Sequence, residues 1–412
     1  MLKHFYWISL ISVFFILNNV QAGGLECAIQ SAQDILNCAV QRSLDVQLLQ
    51  ASLLRDENLT SAAKQILNPE FSATILSGQP GSPQGVFYDL GMLQTIELGG
   101  KRKNRKEIAQ TQRQIASAKV LESREMAALQ TALALYRLRQ IQSELEVFNE
   151  TQGTYRYILS NYKKRPRLAP EQEMNASVFG LAMDETSLNI TKLKQEQDSL
   201  LRFLRLATGV NKELILSHLP SKKNPWPSVD EAKVEAKNAQ ILQASYEKNI
   251  SESDLDLAKS NIWPDVKLGP NVQIQTGIPG KDTAIGGSIV FSLPIFNQNR
   301  GNVAFARREK ERSELAYNLT LQKTNSEREE QKFRYEQALQ SLSEIKSKEK
   351  IGAGHANLEK YFNAGLISAP LVIETHRQMI DLIESTNDQE LVAIDSLWRI
   401  YILDGTFLNQ KI

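Results

Sequence analysis

Thirteen prolines are spread so unevenly along the 412 residues that they fix where long helices can and cannot form. Proline breaks a helix interior because it lacks an N–H and clashes with the preceding turn. Residues 101–165, 171–219, 295–369 and 371–412 contain none, and they are rich in Ala, Leu, Glu, Gln, Lys and Arg, all strong helix formers. A helix of about 60 residues at ~1.5 Å per residue is roughly 90 Å long, so the spacing predicts an elongated molecule.

The proline pattern is also duplicated. Leu48–Ser52 (Leu-Leu-Gln-Ala-Ser) returns as Ile241–Ser245 (Ile-Leu-Gln-Ala-Ser), and Asn68-Pro69 as Trp263-Pro264. Further on, Ile96–Leu98 corresponds to Leu293–Ile295, and Tyr162 with Pro170 to Tyr361 with Pro370, the offset drifting only from 193 to 200 residues. A repeat of this length implies one unit used twice. The division expected is residues 1–22 as an export signal and 23–208 as the first unit, with a hairpin at about 70–98 and a turn at about 163–170. A linker follows at 209–228, then the second unit at 229–404, with a hairpin at about 265–296 and a turn at about 362–370, and a tail at 405–412.

Between the helices the period changes to two. Phe71, Ala73 and Ile75 alternate with Ser72 and Thr74; Val86, Tyr88, Leu90 and Met92 alternate with Phe87, Asp89 and Gly91. In the second unit Val266–Gln275 alternates, as do Ile285, Gly287, Ile289, Phe291, Leu293 and Ile295 against Ser288 and Ser292. Each strand reads as about ten residues, the length a tilted strand needs to cross a bilayer. Pro270 is discordant and is expected at an edge or bulge. Gly- and Pro-rich loops, Ser77–Gly85 and Gly277–Asp282, join the strands. Four strands cannot close a barrel, and an open edge in lipid leaves backbone groups unpaired at several kcal/mol each. Three copies would supply twelve strands and a lumen. The alternative reading is a helical coiled-coil structural protein carrying two surface hairpins.

The ends bear on location. Lys3 and His4 precede an apolar run from Phe5 to Leu17 and a small-residue site at Val20-Gln21-Ala22, the pattern of a cleaved secretory signal. The one later stretch of 18 residues without charge, 71–88, is broken by Pro80, Pro83 and three glycines and cannot form an apolar spanning helix, so any later crossing must be made by strands. Cys27 lacks the small apolar residues of a lipoprotein box; with Cys38 it reads as a disulfide pinning the N-terminal segment, two buried free thiols being the other possibility. With 48 Lys and Arg against 47 Asp and Glu, no electrostatic case for a nucleic-acid partner arises. In the second long helix residues 307–314 are almost wholly charged, whereas Leu315, Leu319, Phe333, Leu339, Leu342 and Ile345 are spaced for a narrow packed stripe.

At the hairpin exits the residues resemble the TolC-type outer-membrane efflux proteins. The most specific segments are Gln94-Thr95-Ile96-Glu97-Leu98-Gly99-Gly100-Lys101-Arg102 and Phe291-Ser292-Leu293-Pro294-Ile295-Phe296-Asn297-Gln298-Asn299-Arg300-Gly301, which look most like the heavy-metal (cobalt, zinc, cadmium) efflux branch. The resemblance covers essentially the whole mature chain. It implies a mainly α fold with a small β part: a homotrimeric, 12-stranded barrel in outer-membrane lipid, continuing into a periplasmic coiled-coil tunnel. It also implies a passive duct for metal ions, or for drugs or secreted proteins, served by a periplasmic adaptor (membrane fusion) protein and an inner-membrane RND-type pump. The adaptor-docking turns would be Arg167-Leu168-Ala169 and Gly365-Leu366-Ile367-Ser368, with Ala169 where the family usually has serine. Glu171, Glu173 and Glu374 fall where the family's constriction carries carboxylates, with Arg165, Arg167 or Arg377 as ion-pair partners; one position often acidic in relatives is Leu371 here.

Little else carries chemistry. The four histidines, His4, His218, His355 and His376, are isolated, and no Cys/His/Asp grouping has metal-ligand spacing. Gly352-Ala353-Gly354 lies in a helical pattern with no preceding strand, so it is no phosphate loop. No catalytic motif and no cofactor site is expected.

Overall fold

The structure, a computed structural model, describes residues 27–79, 82–230, 238–277, 280–345, 358, 360–362, 364–407 and 410–412. The export signal, Gly352–Gly354, His355 and the loop residues 80–81 and 278–279 lie outside them. The chain runs α1 (Ala32–Arg42), α2 (Leu44–Ala63), β1 (Glu70–Gln79), β2 (Ser82–Ile96), α3 (Lys101–Lys163), α4 (Pro170–Thr208) and α5 (Lys212–Ser217). It continues with α6 (Ala239–Ser260), β3 (Val266–Gly277), β4 (Gly280–Phe291), α7 (Arg300–Glu344) and α8 (Ala369–Leu403). Helix–hairpin–long helix–return helix therefore occurs twice. The 63 residues of α3 span about 94 Å at ~1.5 Å each.

The four strands form one antiparallel sheet in the order β1-β2-β3-β4, so the two hairpins join at β2–β3 and leave β1 and β4 as edges. The helices follow the same order. Above the turns α3 packs on α2 and α6, and α6 on α7; lower down α3 packs on α4 and α8, and α8 on α7. Both strand-to-helix exits use a left-handed residue, Gly100 at φ 80° before α3 and Asn299 at φ 56° before α7. Asn299 fixes its exit by donating from Nδ2 to the Ala258 carbonyl at 2.7 Å. Across the junction Lys101 of α3 reaches Asp265, just before β3, at 2.7 Å, and Arg105 pairs with Glu97. These pairs tie the helices to the base of the sheet.

Several expectations need correction. Strands β2, β3 and β4 are 15, 12 and 12 residues long rather than ten. Strand β4 stops at Phe291, so Leu293 and Ile295 lie beyond it; Pro294 has no N–H to continue the ladder. Pro270 sits on an interior strand, not an edge. Its pairing with β2 lapses between Gly91–Asn271 and Gln94–Leu268, where a proline removes no cross-strand donor. Leu315, Leu319 and Phe333 are exposed instead of packed, because within one chain α7 buries Ala306, Ser313, Thr324, Arg328, Gln331, Tyr335 and Ala338. The linker contains α5, capped by Asn211 Oδ1 accepting from Leu214 N at 3.0 Å.

The core is a series of clusters along the helices. Around the middle, Leu36, Leu129, Tyr136, Ile394, Trp398 and Phe407 pack together, beside a second group of Ile35, Leu135, Leu138, Leu204 and Ile215. A disulfide joins Cys27 to Cys38 of α1, with Cα atoms 5.9 Å apart. Below these lies a buried polar network. Arg137 of α3 donates to Glu144 Oε1 (2.8 Å) and to both oxygens of Glu196 of α4 (2.7 and 3.0 Å). Arg139 pairs with Glu390 of α8; Gln140 Nε2 donates to the Asn387 carbonyl (2.8 Å); and Asn387 Nδ2 donates to Glu144 Oε1 (2.8 Å).

Two outcomes test this arrangement. A Cβ on Gly269 would lie 1.8 Å from the Met92 carbonyl oxygen, whereas one on Gly91 would press closely only on the movable Ser72 hydroxyl at 2.9 Å, its other neighbours lying at 3.8 Å. Gly269→Ala is expected to cost about 1–3 kcal/mol or more and to lower the thermal midpoint well below that of Gly91→Ala, measured by circular dichroism in detergent. Glu125 of α3 is buried, and burial, with the nearby charge of Glu122 adding, pushes its carboxyl up to about 8. A raised carboxyl pKa means the folded state holds a proton that the unfolded chain has released above about 4.5. Stability therefore falls as pH rises from that value through about 8. Glu125→Gln should flatten this slope in denaturant titrations across the same range.

Candidate functional site

The register sorts the sheet's side chains by chemistry. Because Phe71 faces Met92, Ala73 faces Leu90 and Ile75 faces Tyr88, the apolar positions of β1 and β2 share one face. Tyr88 then pairs with Ile274 and Leu90 with Val272; across the last ladder Val272 pairs with Ile285, Leu268 with Ile289 and Val266 with Phe291. This face is continuous over strands about 200 residues apart in sequence, and it is bare: Ile285 is 82% exposed, Phe71 74% and Ile289 69%. The opposite face carries Ser72, Thr74, Asp89, Asn271, Gln273, Gln275 and Ser288, with Leu76, Phe87, Leu93 and Val290 among them. There Asp89 pairs with Asn271, and Lys267 reaches Glu70 at 2.7 Å. All three strand carboxylates, Glu70, Asp89 and Asp282, lie on this polar face. The arrangement suits a wall with hydrocarbon on one side and water on the other.

The two turns meet at the opposite end of the long helices. In the second, Gly365 adopts φ 68°, its N–H donating to the Phe362 carbonyl and that of Leu366 to the Tyr361 carbonyl, each at 2.9 Å. These are the paired bonds of a Schellman cap, which satisfies the last helical carbonyls. Ser368 and Pro370 then open α8. In the first turn Ala169 supplies no side-chain cap; Gln172 reaches back to accept from the Ala169 N–H at 3.3 Å, and Pro170 opens α4.

A groove between the turns is lined by Tyr162, Arg165, Glu171, Gln172, Phe362 and Gly365–Pro370. It brings together Gly365, Leu366, Ile367, Ser368 and Glu171; Arg167, Leu168, Ala169 and Glu173 do not line it. Glu374 is held within its own helix by Arg377 (2.8 Å) and Gln378 (2.7 Å), and Arg377 also reaches Asp381 at 3.1 Å. The Arg377 hydrogen bonds hold the Glu374 carboxyl below its usual range. Arg165 lies over the Tyr162 ring, 5.8 Å from its centroid, rather than on a carboxylate.

Sequence reasoning missed what supports the turns. Tyr155, Phe179, Phe362 and His376 form a chain of ring contacts at 5.3–5.6 Å, linking α3, α4 and α8. His376 is fully buried, and its Nδ1 lies 2.8 Å from the Val372 carbonyl, which places a proton on that nitrogen. Aromatic residues at helical spacing near each turn were the available signal.

No family model matches this chain, and no curated protein matches it in sequence. Solved structures do match. The outer-membrane channel OprN superposes with a TM-score of 0.74 at 17% identity, over 91% of this chain and 89% of that one. The Campylobacter jejuni CmeC outer membrane channel gives 0.68 at 13% identity over 91% and 86%. This chain has the fold of these outer-membrane channels. The open state of the Neisseria gonorrhoeae MtrE outer membrane channel agrees as well, at 0.68 and 13% identity over 92% and 89%. Against this channel fold, the bare apolar sheet face and the paired helical turns are the features to which function attaches.

The turn geometry is testable. Gly365→Val forces a β-branched residue into a left-handed position and is expected to cost about 1–3 kcal/mol in denaturant titrations. Gly365→Asn should cost less, since asparagine visits that region more readily.

Proposed function

We propose that three copies of this chain close a 12-stranded barrel in the outer membrane and form the exit duct of a tripartite efflux system, passive and without catalysis. The observation that carries the reading is the exposed apolar face of a four-stranded sheet whose two edges, β1 and β4, are both unpaired. In lipid those edges need partners. Strand β4 of one copy beside β1 of the next continues the antiparallel alternation, so head-to-tail closure satisfies both. Helices α4 and α7, which flank the α3–α8 pair, also carry apolar stripes. Met174, Leu181 and Leu188 of α4 recur every seven residues, and Phe305, Leu319 and Phe333 of α7 every fourteen, all exposed in the single chain. Neighbouring copies would cover both.

The cargo we infer is a divalent heavy-metal cation. Support comes from the resemblance of Gln94–Arg102 and Phe291–Gly301 to the heavy-metal branch. The polar sheet face adds three carboxylates against Lys267, which is itself engaged by Glu70. In this reading an RND-type inner-membrane pump drives transport through a periplasmic adaptor docked at the two turns. Glu171, Glu173, Glu374 and Arg377 would lie at the inner mouth of the duct.

Purified protein reconstituted in planar bilayers is expected to conduct ions and to favour cations. Absence of conductance, with the protein fractionating as soluble without detergent, would instead support a coiled-coil structural role. A deletion strain should lose tolerance to zinc, cobalt or cadmium and regain it on complementation; a drug phenotype with unchanged metal tolerance would keep the duct and change its cargo.

A further inference from the structure

The two turns that meet at the groove are not chemically equivalent. From Lys163 to Glu173 the first carries four cations, Lys163, Lys164, Arg165 and Arg167, against two carboxylates, Glu171 and Glu173. From Tyr361 to Ile373 the second has no charged residue. All four cations are exposed, and Pro166 holds the backbone between the arginines. Lys163, Lys164 and Arg167 have no acidic partner among the described residues.

Helix capping does not account for this charge. A cation near a helix C-terminus is favoured by the carbonyl dipoles there, which explains Lys163 in the last turn of α3. Arg165 and Arg167 lie past those carbonyls, whereas in the second unit the one cation at the corresponding end, Lys360, lies within the last helical turn and none follows it in the Gly365 turn. The exposed group of the second turn is instead Leu366, 70% accessible at the rim of the groove. A basic surface and an apolar knob thus flank one cleft.

We propose that the partner docking here presents an acidic segment to Lys163–Arg167 and an apolar pocket to Leu366, so that the duct's two turns form two different docking sites. This rests on the reading of the chain as an adaptor-docked duct. A trimer would alternate three basic and three neutral turns around its end, reducing an approximate six-fold arrangement to three-fold for any ligand that senses charge. The basic turns set salt-dependent encounter, and the Leu366 turns set salt-independent retention.

The test uses the full-length protein and two synthetic helical-hairpin peptides, one with glutamates flanking a leucine in its loop, the other with glutamines in their place. Binding is followed by fluorescence anisotropy at about 50 and about 300 mM NaCl, where screening differs strongly. The glutamate peptide is expected to bind about tenfold tighter than the glutamine peptide at the lower salt, and this advantage should vanish at the higher salt. It should also vanish in the Lys163→Glu/Lys164→Glu/Arg167→Glu variant, while Leu366→Ser weakens both peptides equally. Equal binding of the two peptides, binding of neither, an advantage that survives charge reversal, or tighter association with phosphatidylglycerol vesicles than with the glutamate peptide would overturn the proposal. Bilayer conductance separates the two ideas: a conducting protein without charge-dependent docking sinks only this inference, and a non-conducting one sinks the duct itself.

Discussion

A peptide group buried without a hydrogen-bond partner costs several kcal/mol, and the sheet and its exits can be read as a way of meeting that constraint. Two hairpins joined at β2–β3 give four paired strands, and α2, α3, α6 and α7 each begin or end next to one of them. Left-handed Gly100 and Asn299 turn the chain sharply there, while Lys101–Asp265 and Arg105–Glu97 hold the turns at the sheet's base. The same constraint limits which residues the strands tolerate. Gly269 passes so close to the Met92 carbonyl that no side chain fits, and Pro270 falls where the β2–β3 ladder lapses. Strand order, exits and tolerated irregularities all follow from keeping backbone groups paired.

Register then converts local alternation into a surface. A period of two within one strand says only that its faces differ. The pairing of Phe71 with Met92, Tyr88 with Ile274 and Val272 with Ile285 aligns four such strands so that their apolar sides coincide. A one-residue slip at β2–β3 would put Asp89 and Asn271 on opposite faces and carry a carboxylate onto the apolar face.

The sequence revealed most where a rule is local. Proline-free runs located the long helices, since a helix interior excludes proline whatever its surroundings. Alternation located both hairpins for the same reason, and it failed at Leu293 and Ile295, where the pattern runs on past Phe291 although Pro294 cannot join a ladder. Contacts across the fold left no comparable trace. Lys101 and Asp265 are 164 residues apart, and Asn387 and Glu144 are separated by 243. At the turns, the groove residues Gly365–Ser368 follow from local turn chemistry, whereas the rings that brace them come from α3, α4, α8 and the segment before Gly365. The exposed stripe of α7 looked like a packing seam because its spacing is that of one, and spacing does not say whether the partner is in the same chain.

The buried polar network below the middle clusters bears on how such long helices keep their alignment. An apolar seam of small and medium residues is nearly degenerate under a shift of one heptad, because each side chain finds a similar neighbour. Hydrogen bonds are directional. Moving α8 by one heptad along α3 would separate Asn387 from Glu144 and Arg139 from Glu390 together, leaving buried charges unpaired. Burying these groups confers less stability than a well-packed apolar core would, and it raises the cost of every wrong alignment. The two turns sit some twenty residues beyond the network, about 30 Å at ~1.5 Å per residue, so a heptad slip at the network would displace one turn from the other by about 10 Å. The groove between Arg165 and Leu366 depends on the alignment that the network favours.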